Sequence, residues 1–209
     1  MKKLIFVSVG RCGTKRLTEI LQDKSKDISV THQMPISRAA NIIGNILYLT
    51  GAGGVIKKKI YTHIIRTHSK GKNFICTDPL TAMMIPENLI KDDNIMIVHI
   101  IRSKKPFAKS FFKISRTRFK SFIAHNIIPF WQIGIFPLEN SLNKKILLKY
   151  EQLCDRKNQY FTETYSRNPH YIQISMNELF STSCIERIVN NFFDENIHIS
   201  KEELSIRSN

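Results

Sequence analysis

Seven consecutive residues, Gly10-Arg11-Cys12-Gly13-Thr14-Lys15-Arg16, combine the two ingredients of an anion site. The glycines let the backbone wrap closely around a ligand, and the three cations supply charge. A β-branched apolar run, Leu4 to Val9, precedes the segment, and a helical pattern with apolar residues at Leu17, Ile20 and Leu21 follows it. Free N–H groups and the positive end of the helix dipole would then face a phosphate seated at the turn. The plainer alternative is an ordinary strand-to-helix turn carrying surface cations. The segment departs from the nucleoside-triphosphatase pattern GxxxxGK[ST], because Thr14 separates Gly13 from Lys15. A triphosphatase that holds Mg²⁺ through the hydroxyl of that motif is therefore disfavoured.

A second anion-binding pair follows the run Ile95-Met96-Ile97-Val98-His99-Ile100-Ile101. Arg102 stands at the end of this expected strand, and Ser110 falls eight positions later within an expected helix. A forked guanidinium and a short hydroxyl placed in this way can converge on one phosphate. An unrelated strand-end cation and helical serine is the alternative. For proton transfer, His32 lies in the loop Val30-Thr31-His32-Gln33-Met34-Pro35, with an ordinary pKa near ~6.5. Its neighbour Gln33 cannot take a proton. His63, His68 and His99 are rivals: His99 reads as a core histidine, and the other two sit in a basic segment suited to an acidic ligand.

The elements that must position these residues alternate between strand and helix. Strands are expected at Leu4 to Val9, Ile28 to Thr31, Asn73 to Thr77, Ile95 to Ile101 and His170 to Ser175. Helices are expected after Gly13, over 37–50 with Ala39, Ile42, Ile43, Ile46 and Leu47 on one side, following Arg102 to Lys105 with Pro106 in the first turn, over 142–166, and from Ile185 to Phe193. Residues 51–73 are ambiguous. Near-continuous apolar strands alternating with helices imply an α/β fold with a central parallel sheet. From Arg102 to Lys120 the chain carries eight cations and no acid. Lys105, Lys109, Lys113, Arg116 and Lys120 recur at helical spacing beside Phe111, Phe112, Phe119 and Phe122, either as a solvated face or as a guide for a polyanionic ligand.

Length and composition bound the answer. A chain of 209 residues with 42% apolar content suits one domain spanning 1–209 and excludes disorder. Cys12, Cys76, Cys154 and Cys184 are scattered, with no CxxC pair or zinc-like spacing, so reduced thiols in a cytoplasmic protein are expected. The apolar N-terminal run is too short for a signal peptide, and no transmembrane segment is expected. A net charge of +15 points to anionic partners without choosing among them.

Val9-Gly10-Arg11-Cys12-Gly13-Thr14 resembles the 5′-phosphosulfate loop of sulfotransferases that use 3′-phosphoadenosine 5′-phosphosulfate (PAPS), which reads roughly (P/G)-(K/R)-S-G-T. Arg102 and Ser110 resemble the same family's 3′-phosphate motif, which has this eight-residue separation. Cys76-Thr77-Asp78-Pro79 and the segment from Tyr171 to Leu179 are weaker echoes. The resemblance implies a three-layer α/β/α sandwich, P-loop nucleotide-kinase-like. It also implies PAPS as donor, adenosine 3′,5′-bisphosphate as product, and transfer without a metal to a hydroxyl or amine, for instance of an acidic glycan. Gly10, Arg11, Cys12, Gly13, Thr14, Lys15, Arg16, Arg102 and Ser110 would bind the donor. Arg11 would stabilise the departing oxygen and His32 would act as base, where members with this style of loop often carry Glu. Three departures stand out: Cys12 replaces the usual Ser, Lys15 stands where a hydroxyl residue is common, and the short chain leaves little room for acceptor-binding insertions. Competing expectations are a small-molecule kinase on the same fold, a basic nucleic-acid-binding protein without a helix-turn-helix, zinc-finger or RRM signature, and an inactive relative.

Overall fold

β1 (Lys3–Ser8) is apolar and almost wholly buried, as a strand covered on both faces must be. It lies at the centre of a five-stranded, all-parallel sheet with β2 (Ile28–Thr31), β3 (Asn73–Cys76), β4 (Ile95–Ile101) and β5 (Tyr171–Ser175), in the order β2-β3-β1-β4-β5. Leu4 of β1 pairs with Ile75 on one side and Met96 on the other. The chain is thus α/β, in an arrangement compatible with three layers. In this computed structural model the described residues are 1–51, 54–128, 130–131, 133, 141–200 and 202–203.

Among the described residues the helices are α1 (Thr14–Lys24), α2 (Ser37–Thr50), α3 (Gly54–Ser69), α4 (Glu87–Ile90), α5 (Lys104–Thr117), α6 (Phe119–Asn126), α7 (Leu142–Tyr165), α8 (Met176–Leu179) and α9 (Thr182–Phe193), with a 3-10 turn at Ala82–Met84. The step from β1 to β2 runs one way along the sheet, whereas the steps to β3, β4 and β5 run the other way. Right-handed crossovers then put α1 on one face and α3 and α7 on the opposite face. The direction reverses between β1 and β4, and in open parallel sheets the crevice beyond the strand ends at such a reversal is where ligands bind. The loop after β1 and Arg102 after β4 both lie there.

Two expectations are corrected and one open segment is filled. The buried stripe of α2 is Ser37, Ala40, Asn41, Gly44, Asn45 and Leu47, while Ala39 is exposed. Asn41 donates to the carbonyl of Trp131 (2.9 Å) and Asn45 to that of Phe130 (2.8 Å), and Gly44 admits Met83 and Met84. Amides that hold a loop's carbonyls outweigh the apolar periodicity here. The basic stripe is broken as well: α5 ends at Thr117, extended Arg118 follows, and Lys120 belongs to α6. The ambiguous segment 51–73 contains α3, whose Tyr61, Ile64 and Ile65 are buried.

Candidate anion-binding site

The loop after β1 is shaped by three left-handed residues: Gly10 (φ 92°), Arg11 (φ 56°) and Gly13 (φ 76°). Turns built on such residues can present successive backbone N–H groups to an anion. The Gly10 N–H donates to Ser8 Oγ at 3.2 Å, and the Cys12 thiol donates to the Gly10 carbonyl at 3.2 Å. Among the described residues, no acceptor meets the backbone N–H groups of Arg11 through Arg16, and α1 has no side-chain cap. Gly13 is fixed twice over, because a Cβ there would lie 2.3 Å from the Phe180 ring. Cys12 is buried, and burial pushes its thiol up to about 11 against the opposing pull of Arg102 and Arg11. It is a neutral strut inside the loop, and its part toward a ligand is limited to its backbone N–H.

The two anion motifs meet. Arg102 Nη1 donates to the carbonyl of Arg11, and Arg11 Nε donates to Ser110 Oγ at 3.4 Å. Partial burial and then the positive charges of Arg102 and Arg118 lower the Arg11 pKa, and no carboxylate opposes them. A site with this much positive charge, and no counter-ion among the described residues, favours an incoming anion. Thr14 is buried and its carbonyl accepts from Thr18 (2.7 Å). Lys15 is exposed, 3.7 Å from Glu19. Arg16 turns away from the loop: its Nε and Nη2 donate to the Glu203 carbonyl at 3.2 and 2.7 Å.

His32 follows β2 directly. Its Nδ1 lies 3.2 Å from both the Thr77 carbonyl and the Thr77 hydroxyl oxygen; the carbonyl can only accept, which favours a proton on Nδ1 and a lone pair on Nε2. Burial lowers the His32 pKa, with the nearby Asp78 charge acting in the opposite sense. Asp78 is itself buried and held by Ser37 Oγ and by Leu80 N–H at 2.9 Å. His99 is the core histidine expected, with Nδ1 2.9 Å from the Tyr171 hydroxyl and Nε2 3.1 Å from Asn158 Oδ1. His63 and His68 lie on α3, which packs on β2 and β3, away from the loop.

A cavity of about 230 Å³ opens beside the loop. Arg11, Arg118 and Lys157 line it together with His125, Gln33 and Asn41, and Phe111 and Ile114 form an apolar wall. Gln33 (φ 49°) reaches this cavity although its neighbour His32 is not among its lining residues. A larger hollow of about 500 Å³ lies at the β5 edge between Ile172, Ile174 and Phe192, away from the anion motifs. Sequence reasoning missed Lys157, Lys149 and His125. The signal was present in α7, where Ile146, Lys149, Tyr150, Leu153, Cys154, Lys157, Phe161 and Tyr165 fall on one helical stripe and all are buried. Two lysines on the inner face of a helix are the anomaly.

Among the described residues no group of three or more His, Cys, Asp or Glu side chains is placed to hold a metal ion, and no helix is long and apolar enough to cross a membrane. No protein-family model matches this chain, and no curated protein matches it.

Proposed function

We propose that the protein is a sulfotransferase on a P-loop-like scaffold, moving a sulfuryl group from PAPS to an acceptor hydroxyl or amine. One observation carries the reading: the glycine loop after β1 and the Arg102–Ser110 pair after β4 are joined through Arg11. Two anion-binding elements in contact suit a nucleotide with two phosphates on one ribose. The unsatisfied amides at the start of α1 fit its 5′ end, and Arg102 with Ser110 fits its 3′-phosphate.

In this reading an acceptor oxygen forms a bond to sulfur while the bond from sulfur to the bridging phosphate oxygen breaks. Adenosine 3′,5′-bisphosphate leaves with the electron pair. Arg11 and the loop amides hold the charge that grows on that oxygen, a contribution typically of the order of 10²–10³ in rate. His32 Nε2 takes the acceptor proton. Positioning and electrostatics are the protein's whole task, as in phosphoryl transfer.

Thermal-shift titration tests the assignment. Adenosine 3′,5′-bisphosphate is expected to raise Tm without added Mg²⁺, because a ligand that binds only the folded state stabilises it. Arg102→Ala is expected to weaken binding about 10–100-fold, the usual value of a charge-assisted hydrogen bond. A larger shift with ATP–Mg²⁺, or wild-type affinity in Arg102→Ala, overturns the reading.

A further inference from the structure

Lys157 is only 4% exposed, yet among the described residues no acceptor or carboxylate meets its ammonium. A largely buried lysine that no carboxylate neutralises favours an anion in the space it faces. Its surroundings define that space. The cavity it lines also carries Arg11 and Arg118, contains no carboxylate among the described residues, and has an apolar wall at Phe111 and Ile114. Its volume, about 230 Å³, lies below the ~300–1,000 Å³ of pockets that house drug-sized ligands, so it suits a group about the size of one ring.

We infer that this cavity is a subsite for a small acceptor bearing a carboxylate, sulfate or phosphate on a ring-sized apolar body, with Lys157 as the counter-ion of that oxyanion. The role of acceptor rests on the sulfotransferase reading; the anion subsite itself does not. The arrangement is complementary at both ends, since the apolar body meets Phe111 and Ile114 while the anion neutralises a charge the protein has left unpaired. Burial alone pushes the Lys157 ammonium down to about 8, so it remains mostly charged at neutral pH and loses its charge in mild alkali. Arg11 and Arg118 are the other cations facing the cavity, and burial with the charges of Lys149 and Lys157 holds its histidine, His125, down to about 4, below that range. Lys149, also pushed down to about 8, donates to the His125 carbonyl and is not among the cavity's lining residues.

Benzoate, one ring with one carboxylate, is the probe. Calorimetric titration at constant ionic strength is expected to show binding to the wild type. Lys157→Met is expected to weaken it about 10–100-fold, whereas Lys59→Met, which removes an exposed charge on α3, should leave it unchanged. In the wild type, affinity is expected to fall between pH 7 and 9, and Lys157→Met should abolish that dependence. This pH series on the unmutated protein stands as a test even if Lys157→Met fails to fold. Wild-type affinity in Lys157→Met, an equal loss in Lys59→Met, no binding at all, or a flat wild-type pH series each overturns the subsite. Saturating adenosine 3′,5′-bisphosphate separates the two readings. If it does not bind while benzoate binds through Lys157, the transferase assignment fails and the subsite stands. If it binds but excludes benzoate, and Lys157→Met loses both, Lys157 belongs to the nucleotide site and the subsite is wrong.

Discussion

In the proposed transfer, a proton leaving the acceptor at neutral pH needs a neutral base, and burial lowers the His32 pKa although the Asp78 charge and the Thr77 hydrogen bond act in the opposite sense. The Thr77 carbonyl favours the Nδ1–H tautomer, with Nε2 as the basic nitrogen. Two-dimensional NMR of the histidine rings is expected to show His32 as the Nδ1–H form with a midpoint below 6.5; the Nε2–H form or a midpoint above 6.5 would remove it from the role. Because the folded form disfavours the proton, the contribution of His32 is complete above 6.5 and is lost as pH falls through that value. His32 was visible in the sequence as a titratable group just past an expected strand, and it does follow β2 directly. Lys157 was not, because a lysine in a polar helix reads as solvated, and only its register with Leu153 and Phe161 betrays its inward direction. Arg16 was legible as a cation of the loop, but the partner that draws it away, the Glu203 carbonyl, lies 187 positions along the chain.

Among the elements, the turn between β1 and α1 carries the heaviest constraints. Gly10 and Gly13 share a left-handed φ, but a Cβ at Gly10 would meet nothing within 4 Å, whereas one at Gly13 would strike the Phe180 ring that follows α8. Gly10→Ala is therefore expected to cost about 1 kcal/mol, from the backbone alone. Gly13→Ala is expected to cost about 2–4 kcal/mol, because overpacking adds to that. Adding Phe180→Leu should recover the steric part only. Urea denaturation of the four proteins tests the ordering, and equal costs at the two glycines would show that the Phe180 contact is not tight. Strand positions were readable because β1 and β4 must be apolar on both faces, which leaves continuous runs. The inner face of α2 was not, because Asn41 and Asn45 owe their burial to carbonyls near residue 130, remote in sequence. The end of α5 at Arg118 was hidden for a related reason: neither Gly nor Pro marks the break.

At the scale of the whole molecule, a net charge of +15 is spread over a fold that nonetheless keeps Lys157 and Lys149 inside, at 4% and 5% exposure. Both ammonium groups are pushed from 10.5 down to about 8 by loss of solvation, so the folded state binds their protons less tightly than the unfolded chain does. Where the unfolded chain holds more protons, stability rises with pH. The penalty is complete below about pH 8 and is relieved as pH climbs toward 10, before the buried phenols of Tyr61 and Tyr165, pushed well above 10, begin to act in the opposite sense. For Lys157 the full effect is on the order of 3 kcal/mol. Urea denaturation in the absence of added anions should therefore show the wild type more stable at pH 9.5 than at pH 7. Lys157→Met should be more stable than the wild type at pH 7 and should show roughly half the slope, the remainder belonging to Lys149. A wild type that loses stability over this range, or a Lys157→Met protein less stable at pH 7, would mean that this ammonium is solvated or paired in the folded molecule. A gain in stability on removing the charge, joined to a loss of anion binding, is what distinguishes a lysine kept for a ligand from one kept for the fold.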